Sequence, residues 1–162
     1  MNQVVHCIRT HAATALSVLA LTAVVAVPVQ AQLTMAQAQT AVDAAEAEAR
    51  ANDWNLTIYV VDAEGVPLYL RRMDGAPPRT TDVVMMKVHV VITTGGTSGA
   101  YGQALAAGTV DSIPGGIHYE GGIPIVINGE LVGAMAASGA RGSEDAQAVR
   151  AGLAAIGADS GT

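Results

Sequence analysis

The tripeptide His118-Tyr119-Glu120 places three reactive side chains together between two glycine doublets, Gly115-Gly116 and Gly121-Gly122. An imidazole can bind a metal or a haem iron or carry a proton, and a neighbouring carboxylate can orient it or share in proton transfer. We therefore predict that His118, Tyr119 and Glu120 are site residues. If the protein is an enzyme, His118 and Glu120 form its acid–base pair.

The flanking glycines leave two structural alternatives open. If the tripeptide ends a strand, His118 and Glu120 point to one face and Tyr119 to the other. Gly121-Gly122 is then either a bulge at the start of the next strand or bare backbone against which a flat ligand lies. We name Gly121 and Gly122 as candidate cofactor-binding residues.

A second histidine, His89, lies in the apolar segment "MMKVHVV". Residues 82–93 are predicted to be a helix, although their valine and isoleucine content would also suit a strand. On a helix, Met85 and His89 are four residues apart and can face one ligand, so His89 is a second candidate ligand-binding residue, against the alternative of a packed core histidine. Lys87 is either an amine with a pKa lowered by burial or a solvated charge, and we include it among the catalytic candidates.

Arg141 lies in the segment "SGARGSED", directly before the last predicted helix. A cation and backbone amides at a helix start suit a carboxylate or a propionate, so Arg141 is a candidate cofactor-binding residue, against the alternative of an ordinary capped loop. The sequence contains no Gly-x-Ser-x-Gly elbow, no His-Glu-x-x-His and no paired-cysteine zinc pattern. These absences argue against the common serine hydrolases and zinc proteins.

Helices and β-hairpins must position these residues. A capping box at Thr34 and Gln37 predicts a first helix that ends near Asn52-Asp53. Two later helices have Thr80 or Thr81, then Ser98, as expected caps, and Ser143 is the expected cap of the last helix. The predicted strands form two hairpins, 55–62 with 66–74 and 123–129 with 130–138. This order predicts an α+β domain with an antiparallel sheet and helices packed against it.

The N-terminal 31 residues have the pattern of a secretory signal: a short basic start, an apolar stretch over 12–27 and small residues before Ala31. We predict cleavage there, which leaves 32–162 as a single domain that is periplasmic or secreted and has no membrane segment. A retained anchor helix is the alternative, but the apolar stretch is short for a membrane span. The lone cysteine, Cys7, lies within the signal, so the mature chain has no disulfide or thiolate.

Charge and composition restrict the partners. The formal net charge is −6, and Arg71-Arg72 is the longest basic run, which argues against a nucleic-acid partner. The chain has no phenylalanine and one tryptophan, so its core consists of aliphatic residues and methionine. A small core of this kind favours burial of further apolar surface in a homo-oligomer.

Several segments, taken together, resemble the GlcG/HbpS-like family of small haem-binding proteins. The most specific of them are the Asp62-x-x-Gly65 turn, the motif Arg72-Met73-Asp74-Gly75 and the run Gly121-Gly122-Ile123-Pro124-Ile125. The resemblance extends over about 33–156. It implies a profilin-like α/β sandwich with a central antiparallel sheet of about five strands, assembly into oligomers and, for exported members, haem binding or haem-linked iron sensing.

The chain departs from the family pattern in two places. Relatives tend to read Lys-Ala-x-Thr-Ala-x-x-Phe-Gly where this chain reads from Lys87 to Gly95; the lysine matches, the phenylalanine is replaced by Thr94, and a histidine, His89, stands at a variable position of the pattern. His118-Tyr119-Glu120 is the second departure. Three possibilities therefore remain open: an exported haem-binding oligomer with His118 or His89 as iron ligand, a cofactor-independent lyase or isomerase that acts on a small molecule, and a structural oligomer that binds no ligand.

Overall fold

The computed structural model describes residues 32–159, which form four helices and four strands. In chain order these elements are α1 (Met35–Ala51), β1 (Thr57–Asp62), β2 (Pro67–Arg72), α2 (Thr80–Thr94), α3 (Ser98–Ala106), β3 (Gly122–Ile127), β4 (Glu130–Ser138) and α4 (Gly142–Ala155). The predicted signal peptide, residues 1–31, lies outside the described residues. Within the described part of the chain, no helix is long and apolar enough to cross a membrane.

The strands of the described chain form one antiparallel sheet in the order β2-β1-β4-β3. The predicted α+β class with an antiparallel sheet is confirmed, but the count of about five strands was one too high. Residues 117–121 are not a strand, because the backbone on both sides of Gly121 bonds to the Ser98 side chain. Near the end of the described chain, Val126 and Asp159 form only a single antiparallel bridge.

The sheet is covered on both faces, as the predicted sandwich requires. Ile58 and Val60 of β1 belong to a buried cluster with α1 and α4, whereas Tyr59 and Val61 belong to a second cluster with α2. This division follows from the alternation of side chains along a strand. The short helix α3 packs against α2 and against β3.

The predicted hairpins and the first helix are confirmed. At the β3–β4 turn, Asn128 and Gly129 have φ angles of 53° and 81°, the two positive values that a tight primed turn requires. Thr34 caps α1, and its hydroxyl accepts a hydrogen bond from the Gln37 amide at 3.2 Å. Of the two alternatives for Gly121-Gly122, the bulge is wrong: pairing with β4 starts regularly at Gly122, and the irregularity lies between Ile125 and Val126.

The segment around Lys87 is helical, so the strand alternative is wrong. Val84, Val88 and Val91 are buried on α2, while Met85 and His89 are exposed.

Three predicted helix caps are wrong. Arg79, not a threonine, precedes α2. Thr97, not Ser98, caps α3 by accepting from the Ala100 amide at 3.0 Å, and Arg141, not Ser143, precedes α4. A small hydroxyl residue near a helix start has no unique position in the sequence, because tertiary contacts compete for it. Thr80, for example, pairs with Thr57 across the fold at 2.6 Å.

Candidate functional site

The segment from His118 to Gly121 lies at the end of the loop between α3 and β3, and Ser98 fixes its backbone. The Ser98 hydroxyl donates to the Tyr119 carbonyl oxygen at 2.7 Å and accepts from the Gly122 amide at 2.9 Å. Ser98 is fully buried, so these bonds are shielded from water. The two hydrogen bonds hold the tripeptide in a defined conformation, although it is not part of a helix or strand.

Glycines on two helices allow this segment to lie close against them. A Cβ at Gly102 of α3 would overlap the His118 carbonyl oxygen, and one at Gly99 would lie 3.1 Å from the Glu120 Cγ. On α4, a Cβ at Gly142 would lie 3.0 Å from the Glu120 Cβ. The glycines therefore serve close packing at three points around the tripeptide.

Lys87 lies beneath Gly121. A Cβ at Gly121 would be 2.7 Å from the Lys87 Nζ and 2.7 Å from the Asp145 Cβ. Gly121 also has a φ of 113°, an angle that other residues rarely adopt. Gly121 thus faces an ion pair rather than open space in this chain, whereas Gly122 borders a cavity. The predicted cofactor-binding role of these two glycines stays a prediction.

Lys87 is the only lysine in the sequence, and its side chain is 1% exposed. Its Nζ donates to the Asp145 Oδ2 and to the Ala137 carbonyl oxygen, both at 2.8 Å. The other carboxylate oxygen of Asp145 accepts from the Ala140 amide at 3.0 Å. The pair links α2 to the start of α4 and to the end of β4.

Burial acts on both members of this ion pair. It lowers the pKa of the Lys87 ammonium, against the charge and hydrogen bond of Asp145. It raises the pKa of the Asp145 carboxyl, against the opposing effect of Lys87. Both shifts reduce the free-energy difference between the charged pair and a neutral amine beside a neutral acid.

The Lys87–Asp145 pair forms part of the wall of a cavity of about 320 Å³, which we call the Lys87 cavity. Its lining also includes Arg79 and Thr80 at the start of α2, Tyr119, and residues 138–140 at the end of β4. Of the predicted site residues, this cavity brings together Lys87 and Tyr119.

A second cavity, of about 480 Å³, lies beside the same segment, and we call it the His118 cavity. Its lining includes His118, Glu120 and Arg150 together with small residues of α3. Tyr119 does not line it. His118 and Glu120 thus lie on one side of the segment and Tyr119 on the other, as predicted, although the segment is not a strand. The ring of Tyr119 remains in edge contact with His118, with centroids 4.8 Å apart.

His89 and Arg141 lie elsewhere. His89 lines a third cavity of about 310 Å³ with Met85 and Tyr59, and a ring nitrogen lies 3.2 Å from the Pro114 carbonyl oxygen. His89 and His118 therefore do not share a cavity within one chain. The Arg141 side chain is 86% exposed and 3.9 Å from Glu144, and it lines neither the Lys87 cavity nor the His118 cavity.

Two residues that organise the site were missed from the sequence. Asp145 looked like an ordinary acidic residue in the first turn of a helix, and Ser98 like a helix cap. A signal for the ion pair was nevertheless present: a single lysine in an apolar helical segment needs a buried partner if its face is buried. The sequence did not indicate which of the 14 acidic residues that partner is.

Fold and site together define an α+β protein in which an irregular, glycine-packed segment separates two cavities. A family model described as "Haem degrading protein HbpS-like" matches residues 33–154. The chain belongs to this HbpS-like family, which confirms the predicted resemblance and places the chain with haem-related proteins.

Individual relatives agree with this assignment. Protein GlcG of Escherichia coli (strain K12) is 29% identical over 97 residues, which cover 59% of this chain and 72% of GlcG. A double mutant of Streptomyces reticuli HbpS is similar in structure, with a TM-score of 0.72, 30% identity and coverage of 87% of this chain and 97% of that one. A PduOC:Heme complex has a TM-score of 0.75 at 18% identity, with coverage of 80% and 99%; at that identity it supports the fold alone.

Proposed function

We propose that the protein is an exported, oligomeric haem-binding protein, concerned with haem binding or haem and iron sensing, and that the His118 cavity holds the haem. The observation that carries this proposal is an exposed imidazole on the lining of a cavity of about 480 Å³, in a chain of the HbpS-like family. This volume lies within the range of cofactor pockets, about 300–1,000 Å³.

The residues of the His118 cavity fit a flat, anionic, iron-containing ligand. Haem would supply an iron centre, and the imidazole of His118 would hold it, since histidine is a common ligand of haem iron. Gly99, Gly102 and Ala106 on α3 give a wall of small residues, and the half-exposed Arg150 supplies a cation for a propionate. Glu120 lies beside the histidine.

The alternative iron ligand, His89, is less well placed. Its cavity is smaller, and its lining includes the large side chains of Tyr59, Met85 and Ile92. A cation to match a propionate is not among its lining residues in the described chain. His118 is therefore the first choice.

A hemin titration tests the proposal. Added to the purified protein, stoichiometric hemin should give a shifted Soret band. His118→Ala should abolish or displace that band, while His89→Ala, the matched histidine variant, should leave it unchanged. An unshifted spectrum with the natural protein contradicts haem binding, and equal spectra for both variants and the natural protein contradict the assigned ligand.

A second candidate function is a cofactor-independent lyase or isomerase. It rests on one observation: His118 and Glu120 line the same cavity, as an acid–base pair requires. In heavy water, such an enzyme should catalyse exchange of the proton next to a substrate carbonyl, detectable by NMR over a panel of small carbonyl compounds. Exchange should be lost in His118→Ala and in Glu120→Gln; exchange that survives in both variants contradicts this assignment.

Export and oligomerisation are separate parts of the proposal. Export rests on the signal-like pattern of residues 1–31, and the mass of protein recovered from the periplasm should correspond to a chain that begins at Gln32. Oligomerisation is supported by exposed apolar side chains, including Met85 at 44% and Met86 at 37% on α2. Light scattering behind a sizing column should give a mass above that of one chain; a monomer at micromolar concentration contradicts this part.

A further inference from the structure

The Lys87 cavity contains a buried reactive amine that haem binding does not use. A buried ammonium is costly unless it is paired, and an apolar residue of similar length would fill the same space without a partner. The side chains of Lys87 and Asp145 are 1% and 4% exposed, yet both residues are part of the lining of a cavity. The sole lysine of the sequence is thus buried directly beside a space that a small molecule can occupy.

The hydrogen bonds of Lys87 leave capacity for a ligand. An ammonium has three donors, and within residues 32–159 the Lys87 Nζ makes two hydrogen bonds, to Asp145 and to the Ala137 carbonyl oxygen. Ser138, next to Ala137, is also on the cavity wall, as is Tyr119. A hydroxyl and a phenol therefore accompany the amine as further hydrogen-bonding groups.

We propose that the Lys87 cavity binds a small 2-oxo acid and that the amine of Lys87 forms a reversible imine with its carbonyl carbon. This inference is independent of haem binding, because it concerns a different cavity and different residues.

Asp145 gives the amine a route to the reactive form. Only the neutral amine attacks a carbonyl, and the Asp145 carboxylate, 2.8 Å from the Nζ, accepts the ammonium proton. The nitrogen then bonds to the carbonyl carbon and yields a carbinolamine. Return of the proton from Asp145 releases the hydroxyl group as water and leaves a protonated imine. The ammonium and the carbonyl compound are thereby converted to an iminium ion and one water, with no net change in protons.

The carboxylate part of the ligand is matched by positive groups at the same cavity. Arg79 contributes a guanidinium, and Gly142 is the first residue of α4, where helix amides favour an anion. The N-terminal ends of both α2 and α4 are part of the lining of the cavity. Its volume of about 320 Å³ restricts the ligand to a small acid.

Reductive trapping tests the proposal with the natural protein. Pyruvate serves as the 2-oxo acid and cyanoborohydride reduces any imine to a stable amine, which is then located by peptide mass spectrometry. The N-terminal amine is the only other primary amine of the chain, because Lys87 is the only lysine, so it serves as an internal reference. We expect the ratio of Lys87 adduct to N-terminal adduct to be at least about tenfold higher with pyruvate than with butanone, a ketone without a carboxylate.

Two further measurements distinguish a binding site from mere reactivity. Propanoate, which has a carboxylate but no ketone, should inhibit trapping at Lys87 competitively and leave the N-terminal adduct unchanged. Arg79→Gln should lower the ratio about tenfold through loss of a charge-assisted hydrogen bond, while Arg50→Gln, an exposed arginine on α1, should not change it. Lys87→Arg should remove the internal adduct altogether.

Three results would overturn the proposal. The first is a native Lys87 that stays unmodified under conditions in which the urea-unfolded chain is modified at that residue. The second is an equal ratio for pyruvate and butanone, and the third is trapping that propanoate does not inhibit. Because propanoate inhibition is measured on the natural chain, the proposal stays testable even if a variant fails to fold. Hemin binding, measured separately, is unaffected by any of these results.

Discussion

The Lys87 cavity and the His118 cavity share one wall, the segment from His118 to Gly121, yet they hold their charges differently. In the first, Lys87 and Asp145 are almost fully buried and 2.8 Å apart. In the second, Arg150 and Glu120 are 3.7 Å apart, with side chains 55% and 43% exposed. A buried pair depends on its partner for stability, whereas an exposed pair contributes little.

The residues that suggest a function in the sequence are therefore different from those that contribute most to stability. His118, Tyr119 and Glu120 attract notice in the sequence, but His118 and Tyr119 are exposed, so their side chains can be changed with little effect on the fold. Asp145 is inconspicuous in the sequence, and its pair with Lys87 supports the fold and lines a cavity. Mutations on the two sides of the shared wall should therefore differ in kind: loss of stability on one side, loss of ligand binding on the other.

Removal of Asp145 should give the largest effect. Asp145→Ala leaves the Lys87 ammonium buried without its partner, and we expect a loss of about 3–5 kcal/mol in the free energy of unfolding. Urea unfolding followed by circular dichroism at fixed protein concentration measures this loss. The double variant Lys87→Met/Asp145→Leu should recover most of it, because no charge then remains buried. If the free energy of unfolding of Asp145→Ala is within about 1 kcal/mol of that of the natural protein, the ion pair is exposed to water rather than buried.

A methyl group at Gly102 should have the next largest effect, because it acts on the wall itself. Its Cβ would overlap the His118 carbonyl oxygen, so Gly102→Ala must displace the segment. We expect a net cost of about 2 kcal/mol, since overpacking exceeds the gain of about 1 kcal/mol in helix propensity. Gly96→Ala is the control, because its Cβ would meet only the Thr94 Oγ1 at 3.8 Å. Equal stability of the two variants would contradict the close packing of the segment.

Loss of the Ser98 hydroxyl should cost less. Ser98→Ala removes the acceptor of the Gly122 amide and the donor to the Tyr119 carbonyl oxygen, and we expect about 1–1.5 kcal/mol. Hydrogen exchange of the Gly122 amide should accelerate at the same time. Ser143→Ala, at an exposed serine, should change neither quantity. Unchanged exchange at Gly122 in Ser98→Ala would argue against this anchor.

The smallest change in stability should come from the exposed pair. Arg150→Gln breaks the contact with Glu120, and we expect less than about 0.5 kcal/mol in unfolding free energy. Hemin affinity should nevertheless fall about three- to tenfold, because the variant loses a cation for a propionate. Stability and affinity thus separate on this side of the wall. A loss of stability above about 1 kcal/mol would show that Arg150 stabilises the fold, as the buried pair does, and would contradict its assignment as a residue that serves only ligand binding.

Local signals in the sequence predicted most of the fold. The Thr34–Gln37 capping box and the Asn128-Gly129 turn involve neighbours in the chain, and both are present as predicted. The count of five strands was wrong: the Gly121 carbonyl oxygen still accepts from the Ala137 amide of β4, but the Tyr119 carbonyl oxygen bonds to the Ser98 side chain. That choice depends on Ser98, which is 24 residues away in the chain.

The candidate site was predicted only in part, for a related reason. Residue type and spacing indicated His118, Glu120 and Lys87, but pairing is a property of the folded chain. Lys87 and Asp145 are 58 residues apart, and no periodicity connects a helix interior to the first turn of a distant helix. Only Gly121 and Gly122 were predicted to expose backbone to a ligand, and the sequence did not indicate that three other glycines, at 99, 102 and 142, accommodate the chain's own Glu120 and His118.

The shared wall has a thermodynamic consequence for the two cavities. Tyr119 lines one of them and its sequence neighbours His118 and Glu120 line the other, on a backbone fixed by Ser98. Any ligand that displaces this segment on binding changes the free energy of binding on the opposite side. Linkage makes that coupling reciprocal: each ligand alters the affinity for the other by the same factor. For a ligand that moves the segment, occupancy of one cavity therefore depends on occupancy of the other; for a ligand that leaves it in place, the two cavities stay independent.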